Sequence, residues 1–143
     1  MSYCTYEDLE ARLGADDLAA LADHDGDGTA DPDVVAGAIG SAEALIDSYL
    51  SVRFAVPVAL AGGECPPVLG TRAVNLAVYF LRLGRDSVTP DARAQYEDDI
   101  HWLGQVVAGH VSLGVEPSPS EGAGAPRVRY ETQPRLFGRG EPL

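Results

Sequence analysis

From Pro32 to Phe54 the apolar residues Val35, Ile39, Ala42, Leu45, Ile46, Tyr49 and Phe54 recur at helical spacing with polar residues between them, which predicts one long helix burying a continuous stripe. Asp31-Pro32 sets a capping carboxylate before a proline at the first helical position, where a missing N–H costs nothing, so the helix starts there. Pro57 and Gly62-Gly63 prevent its continuation. A second long helix opens at Pro66-Pro67, carries Val68, Leu69, Ala73, Leu76, Ala77, Phe80 and Leu81, and closes at Gly84. Val74 and Val78 lie off its main stripe, so this helix is either central in a bundle or meets another subunit with its second face. Thr89-Pro90-Asp91 repeats the cap-then-proline signal and opens a third helix to about Gly109. It presents Tyr96, Ile100, Leu103 and Val107 to the core, with His101 and Trp102 as packing and interface residues and Glu97, Asp98 and Asp99 as a solvated face.

Toward the N-terminus, Thr5 with Asp8 three residues on forms a capping box for a short helix that Gly14 ends, and Asp16 starts another over Leu18, Ala19 and Leu21. His110 to Val115 reads either as a short strand or as an extended exit. The expected fold is mostly α: a small helical bundle of three long helices and two short N-terminal ones, with an extended C-terminal arm. Residues 1–115 form the body, 116–126 a Pro/Gly/Ser linker and 127–143 the arm.

Composition changes this picture mainly through charge. The 143 residues are 45% hydrophobic, enough for a core without metals or disulfides, so the net charge of -12 belongs to the surface. All ten basic residues are arginine; six of them precede residue 127 against twenty acids, leaving that part at -14. Such a body repels nucleic acid, and the arm, with four arginines and two glutamates, is only weakly basic. Cys4 and Cys65 stand apart without a metal or redox motif, as structural thiols of a reducing compartment. Neither a leader pattern nor an apolar run of about 18 residues is present, which points to the cytosol and away from a membrane.

Candidate chemistry is confined to two places. In Asp23-His24-Asp25-Gly26-Asp27-Gly28-Thr29-Ala30-Asp31, carboxylates at alternate positions match the first half of the loop used by helix-loop-helix calcium proteins. Asp23, Asp25, Asp27 and Asp31 offer side chains and Thr29 its carbonyl to calcium or magnesium; the twelfth position is Val34 where a bidentate glutamate belongs, and Asp33 is a substitute one residue short. The loop therefore reads as a weak cation site, or as an exposed acidic turn whose Asp31 caps a helix. No cofactor is required. His24, His101 and His110 have no serine or cysteine nucleophile in a recognisable motif, so an enzyme is not expected. The second place is the arm, where Arg127, Arg129, Tyr130, Arg135, Leu136, Phe137 and Arg139 mix guanidinium groups with interface-type apolar residues. It reads as a docking arm, or as a solubilising terminus.

The order of landmarks carries a resemblance: Tyr3-Cys4-Thr5-Tyr6-Glu7-Asp8-Leu9, the Asp23–Asp31 loop, Ile46-Asp47-Ser48-Tyr49-Leu50, Arg53-Phe54-Ala55-Val56-Pro57, Pro66-Pro67-Val68-Leu69, Tyr79-Phe80-Leu81-Arg82 and Pro134-Arg135-Leu136-Phe137-Gly138-Arg139. In that order the chain resembles the Mu-type phage neck proteins over nearly its whole length. The resemblance implies a head-tail connector, also called an adaptor or head-completion protein, at the virion neck of a tailed phage, assembled in the bacterial cytoplasm. It implies as partners the portal protein, neighbouring copies in a dodecameric ring, and a stopper or tail terminator, with genome DNA passing the acidic lumen without specific binding. The competing reading from the residues alone is a soluble calcium-binding interaction module built on the acidic loop.

Overall fold

The computed structural model describes residues 2–118. Five helices follow one another: α1 (Tyr6–Leu13), α2 (Ala15–Ala22), α3 (Pro32–Leu50), α4 (Pro67–Gly84) and α5 (Pro90–Val107). No strand occurs among the described residues, and 110–115 is an irregular exit that returns Leu113 to the core. Each of the three long helices opens on proline, whose fixed φ suits the first turn. The Thr5–Asp8 capping box forms in both directions, and Thr89 Oγ1 accepts the Ala92 N–H. Gly14 serves both as the end of α1 and the entry to α2 at φ 84°, ψ 153°, a backbone region that side chains disfavour.

α4 packs against each of the other four helices, most extensively against α3. Its residues Leu69, Ala73, Val74, Leu76, Ala77, Tyr79 and Leu81 are buried, with Val78 and Phe80 half-buried and only Val68 and Leu83 exposed near its two ends, so most of its apolar breadth lies inside the chain. Central position in the bundle accounts for most of that breadth. On α3 the fully buried line is Val35, Ala38, Ala42, Ile46 and Leu50; Ile39, Leu45 and Tyr49 flank it half-buried. The expected stripe is therefore rotated toward the bulkier flank; the observed line runs through Ala38 and Ala42, small side chains that permit close helix packing. Phe54 is buried but beyond the end of α3, which stops at Leu50.

Irregular segments are tied by polar side chains. The Tyr3 hydroxyl donates to Asp47 on α3 and accepts the Val58 N–H, fastening the N-terminal segment to the loop after α3. Glu43, a turn earlier on α3, accepts from Tyr3 N–H and Ser2 Oγ. Arg53 donates to the Val106 carbonyl at 2.8 Å, supplying a cation to the C-terminal end of α5, which has no basic residue in its last turn.

Two expectations about charge are corrected. Asp99 is not part of a solvated face: it is fully buried and paired with Arg72 Nη1 at 2.6 Å, because α5 turns this position toward α4. Asp31 makes no side-chain cap on α3; its carboxylate instead accepts the His24 N–H at 2.9 Å and closes the loop before the helix.

Candidate functional site

The loop between α2 and α3 gathers Asp23, Asp25, Asp27 and Asp31, each offering a carboxylate oxygen within 4.8 Å of the others. Backbone donors of the same loop create this geometry. Asp23 accepts from Gly26 N–H and Gly28 N–H, both at 2.8 Å, and both glycines take positive φ, 81° and 84°. Asp25 accepts from Asp27 N–H at 3.1 Å, and Asp27 accepts from both the N–H and the hydroxyl of Thr29 at 2.8 Å. The Gly28 N–H, with that of Gly26, holds the Asp23 carboxyl below its usual range, and the Thr29 N–H and hydroxyl do the same for Asp27. At Asp25 the Asp27 N–H pulls downward, yet the neighbouring Asp23 carboxylate and partial desolvation prevail, and its carboxyl moves upward. Chemically, the loop is a preformed set of hard oxygen donors suited to calcium or magnesium, in which N–H groups already balance part of the charge. Asp33, exposed in the first turn of α3, is not among the four.

Arg85, just past α4, anchors this loop from below. Its guanidinium donates to the Leu21 carbonyl at 3.3 Å and to the Asp23 carbonyl, supplying the cation that the last turn of α2 lacks. Sequence reading missed this role, because an arginine sixty-odd residues downstream gives no local sign of its partner. The Arg72–Asp99 pair was missed for the same reason. Gln95 Nε2 adds a 3.1 Å hydrogen bond to Asp99, and Arg72 lies 4.9 Å over the Trp102 ring.

The three histidines do not assemble a catalytic group. His24 lies in the acidic loop, while His101 and His110 are exposed and each meets Gln105, at 3.4 and 2.7 Å, with no hydroxyl or thiol in that chain. Burial pushes the Cys4 thiol up to about 12, with Glu43 and Asp8 adding to the effect, and burial also raises Cys65. No described helix is long and apolar enough to cross a membrane. Arg127, Arg129, Tyr130, Arg135, Leu136, Phe137 and Arg139, and most of the linker, lie outside the described residues.

Gene product J of Escherichia phage Mu is 31% identical over 141 residues, covering 97% of this chain and 96% of its own length. The Mu-like prophage FluMu protein gp36 of Haemophilus influenzae is 38% identical over 78 residues, 54% of this chain and 51% of that protein. The model of the family described as Bacteriophage Mu, Gp36 matches residues 3–130, from the buried Tyr3 through the whole described body, and the chain therefore belongs to that family of phage and prophage proteins.

Proposed function

We propose that this chain is a structural head-tail connector subunit, an adaptor or head-completion protein that forms a ring beneath the portal, joins head to tail and lines the DNA passage. The observation that carries this reading is the end-to-end match to gene product J of phage Mu. Charge supports it: a body this acidic repels the phosphate backbone, as a conduit for a passing genome requires. The fully buried face of α4 is not available to a neighbouring copy, so ring contacts fall on exposed surfaces. Residues 127–143 are assigned to portal contact, with Leu136 and Phe137 as anchors and Arg135 pairing at the rim.

Disrupting the gene in its phage or prophage tests the reading. The expected result is filled or emptied heads and free tails that do not join, with density for a ring of this chain in the neck of intact particles. Normal joined particles from the disrupted strain would refute it. Removing 127–143 alone should leave a folded helical body that fails to attach; normal incorporation of the truncated protein would move the docking surface onto the body.

A second reading, a calcium- or magnesium-binding loop, rests on the four carboxylate oxygens within 4.8 Å. Calcium should raise the melting temperature of the full chain, and Asp25→Ala should remove that rise. Absence of both heat and stabilisation on titrating the unaltered protein would reduce the loop to a turn.

A further inference from the structure

Three of the six body arginines are committed inside the chain: Arg53 to the Val106 carbonyl, Arg72 to Asp99, and Arg85 to the carbonyls of Leu21 and Asp23. Arg12, Arg82 and Arg93 make no ion pair or side-chain hydrogen bond among the described residues. Two of those three, Arg12 and Arg82, line one cleft of about 370 Å³ between α1, α4 and the first turns of α5. Its wall includes the stacked pair Tyr79 and Tyr96, centroids 4.2 Å apart, and Asn75, whose buried Oδ1 has no hydrogen-bond partner. Asp91 also lines it, so the two guanidinium groups outnumber the carboxylates there. On a chain of net charge -12, this is a local reversal of sign with an amphipathic wall.

We infer that this cleft receives the acidic loop of a second copy, with Asp25 and Asp27 of one subunit meeting Arg12 and Arg82 of the next. The inference deepens, and rests on, the ring reading above. Residues 24–29 are exposed, so Asp25 and Asp27 are accessible to a neighbour. Copies this acidic repel one another, so a contact between them forms where acid meets cation, and the cleft concentrates the uncommitted cations. Cleft and loop are different patches of the same molecule. Their pairing is therefore heterologous, the class of contact that propagates around a ring and closes when the rotation allows.

The test is sedimentation velocity on the full chain, at the highest soluble concentration and in chelator so that no divalent cation competes for the loop. Wild type should associate at low salt and dissociate as salt rises. Arg12→Glu with Arg82→Glu, and separately Asp25→Arg with Asp27→Arg, should each remain monomeric, and mixing the two proteins should restore association because each then offers the other a matched pair. Circular dichroism checks the fold of each. If a charge reversal unfolds the chain, the neutral sets Arg12→Gln with Arg82→Gln and Asp25→Asn with Asp27→Asn serve instead, each weakening association by about tenfold or more. Wild type that stays monomeric at low salt, reversals or neutral sets that associate like wild type, or folded reversals whose mixture stays apart would each overturn the inference. Particles whose neck holds a ring of either variant at normal yield would leave the connector reading standing and remove this contact alone.

Discussion

Removing Arg72 should cost the fold more than removing the charge it neutralises. Asp99 is fully buried, whereas the Arg72 side chain is 25% exposed, so the two ends of this 2.6 Å pair have unequal access to water. In Arg72→Met the carboxylate stays buried with only Gln95 Nε2 as a donor, and its Oδ2 already has no partner. Stripping one member from a buried pair costs about 3–5 kcal/mol. In Asp99→Asn the amide oxygen still accepts from Arg72 and Gln95, and the guanidinium keeps its exposed edge and its place over Trp102, so the loss is about 1–2 kcal/mol. At about 3–4 °C per kcal/mol for a chain of this size, the melting temperatures should fall by about 9–20 °C and about 3–8 °C respectively. Replacing both, Arg72→Met with Asp99→Leu, should recover part of the larger loss, because an apolar pair carries no desolvation penalty. Urea and thermal unfolding of the four purified proteins, read by circular dichroism, measure the free energies and the melting temperatures. A smaller loss for Arg72→Met than for Asp99→Asn, or a double variant less stable than Arg72→Met alone, would refute the reasoning.

Other expectations follow from groups whose surroundings are equally specific. Iodoacetamide at mildly alkaline pH should label neither Cys4 nor Cys65 in the folded chain and both in urea, since burial keeps the Cys4 thiol near 12 and Cys65 also raised; rapid labelling of native Cys4 would contradict that. Desolvation on α3, with Glu43 adding its charge against the Tyr3 hydrogen bond, raises the Asp47 carboxyl, so the folded state binds that proton more tightly than the unfolded one. Its contribution to stability must then grow as pH falls from neutral through the carboxylate range, and melting curves of wild type and Asp47→Asn should converge or cross over that span; parallel pH profiles would exclude it. Gly109 sits at φ 87° with Arg53 Nη1 3.1 Å from where a Cβ would stand, so Gly109→Ala should cost about 1–3 kcal/mol. Part of that loss comes from displacing Arg53, so combining it with Arg53→Ala should cost less than the two changes added; strict additivity would show that the arginine simply moves aside.

What the sequence disclosed and what it concealed divide along a physical line. Proline at the first turn, threonine at the cap and glycine at a break act within a few residues, so the starts of α3, α4 and α5 and the Thr5–Asp8 box could be read directly. The gathering of the four loop aspartates was legible too, since Gly26 and Gly28 bend the chain within the motif itself. Polar residues whose partners come from another helix were not legible. Asp99 follows Glu97 and Asp98 in a run that has the composition of a solvated face, and only the approach of Arg72 from α4 makes its burial tolerable. Arg53, Arg85 and Tyr3 follow the same rule, each finishing an element distant in sequence. Among the described residues, the arginines left over once these internal duties are assigned are consequently the ones free to face a partner. On a body with so few cations, that subtraction, more than any motif, singles out the cleft at Arg12 and Arg82 as the place where another acidic surface can be received.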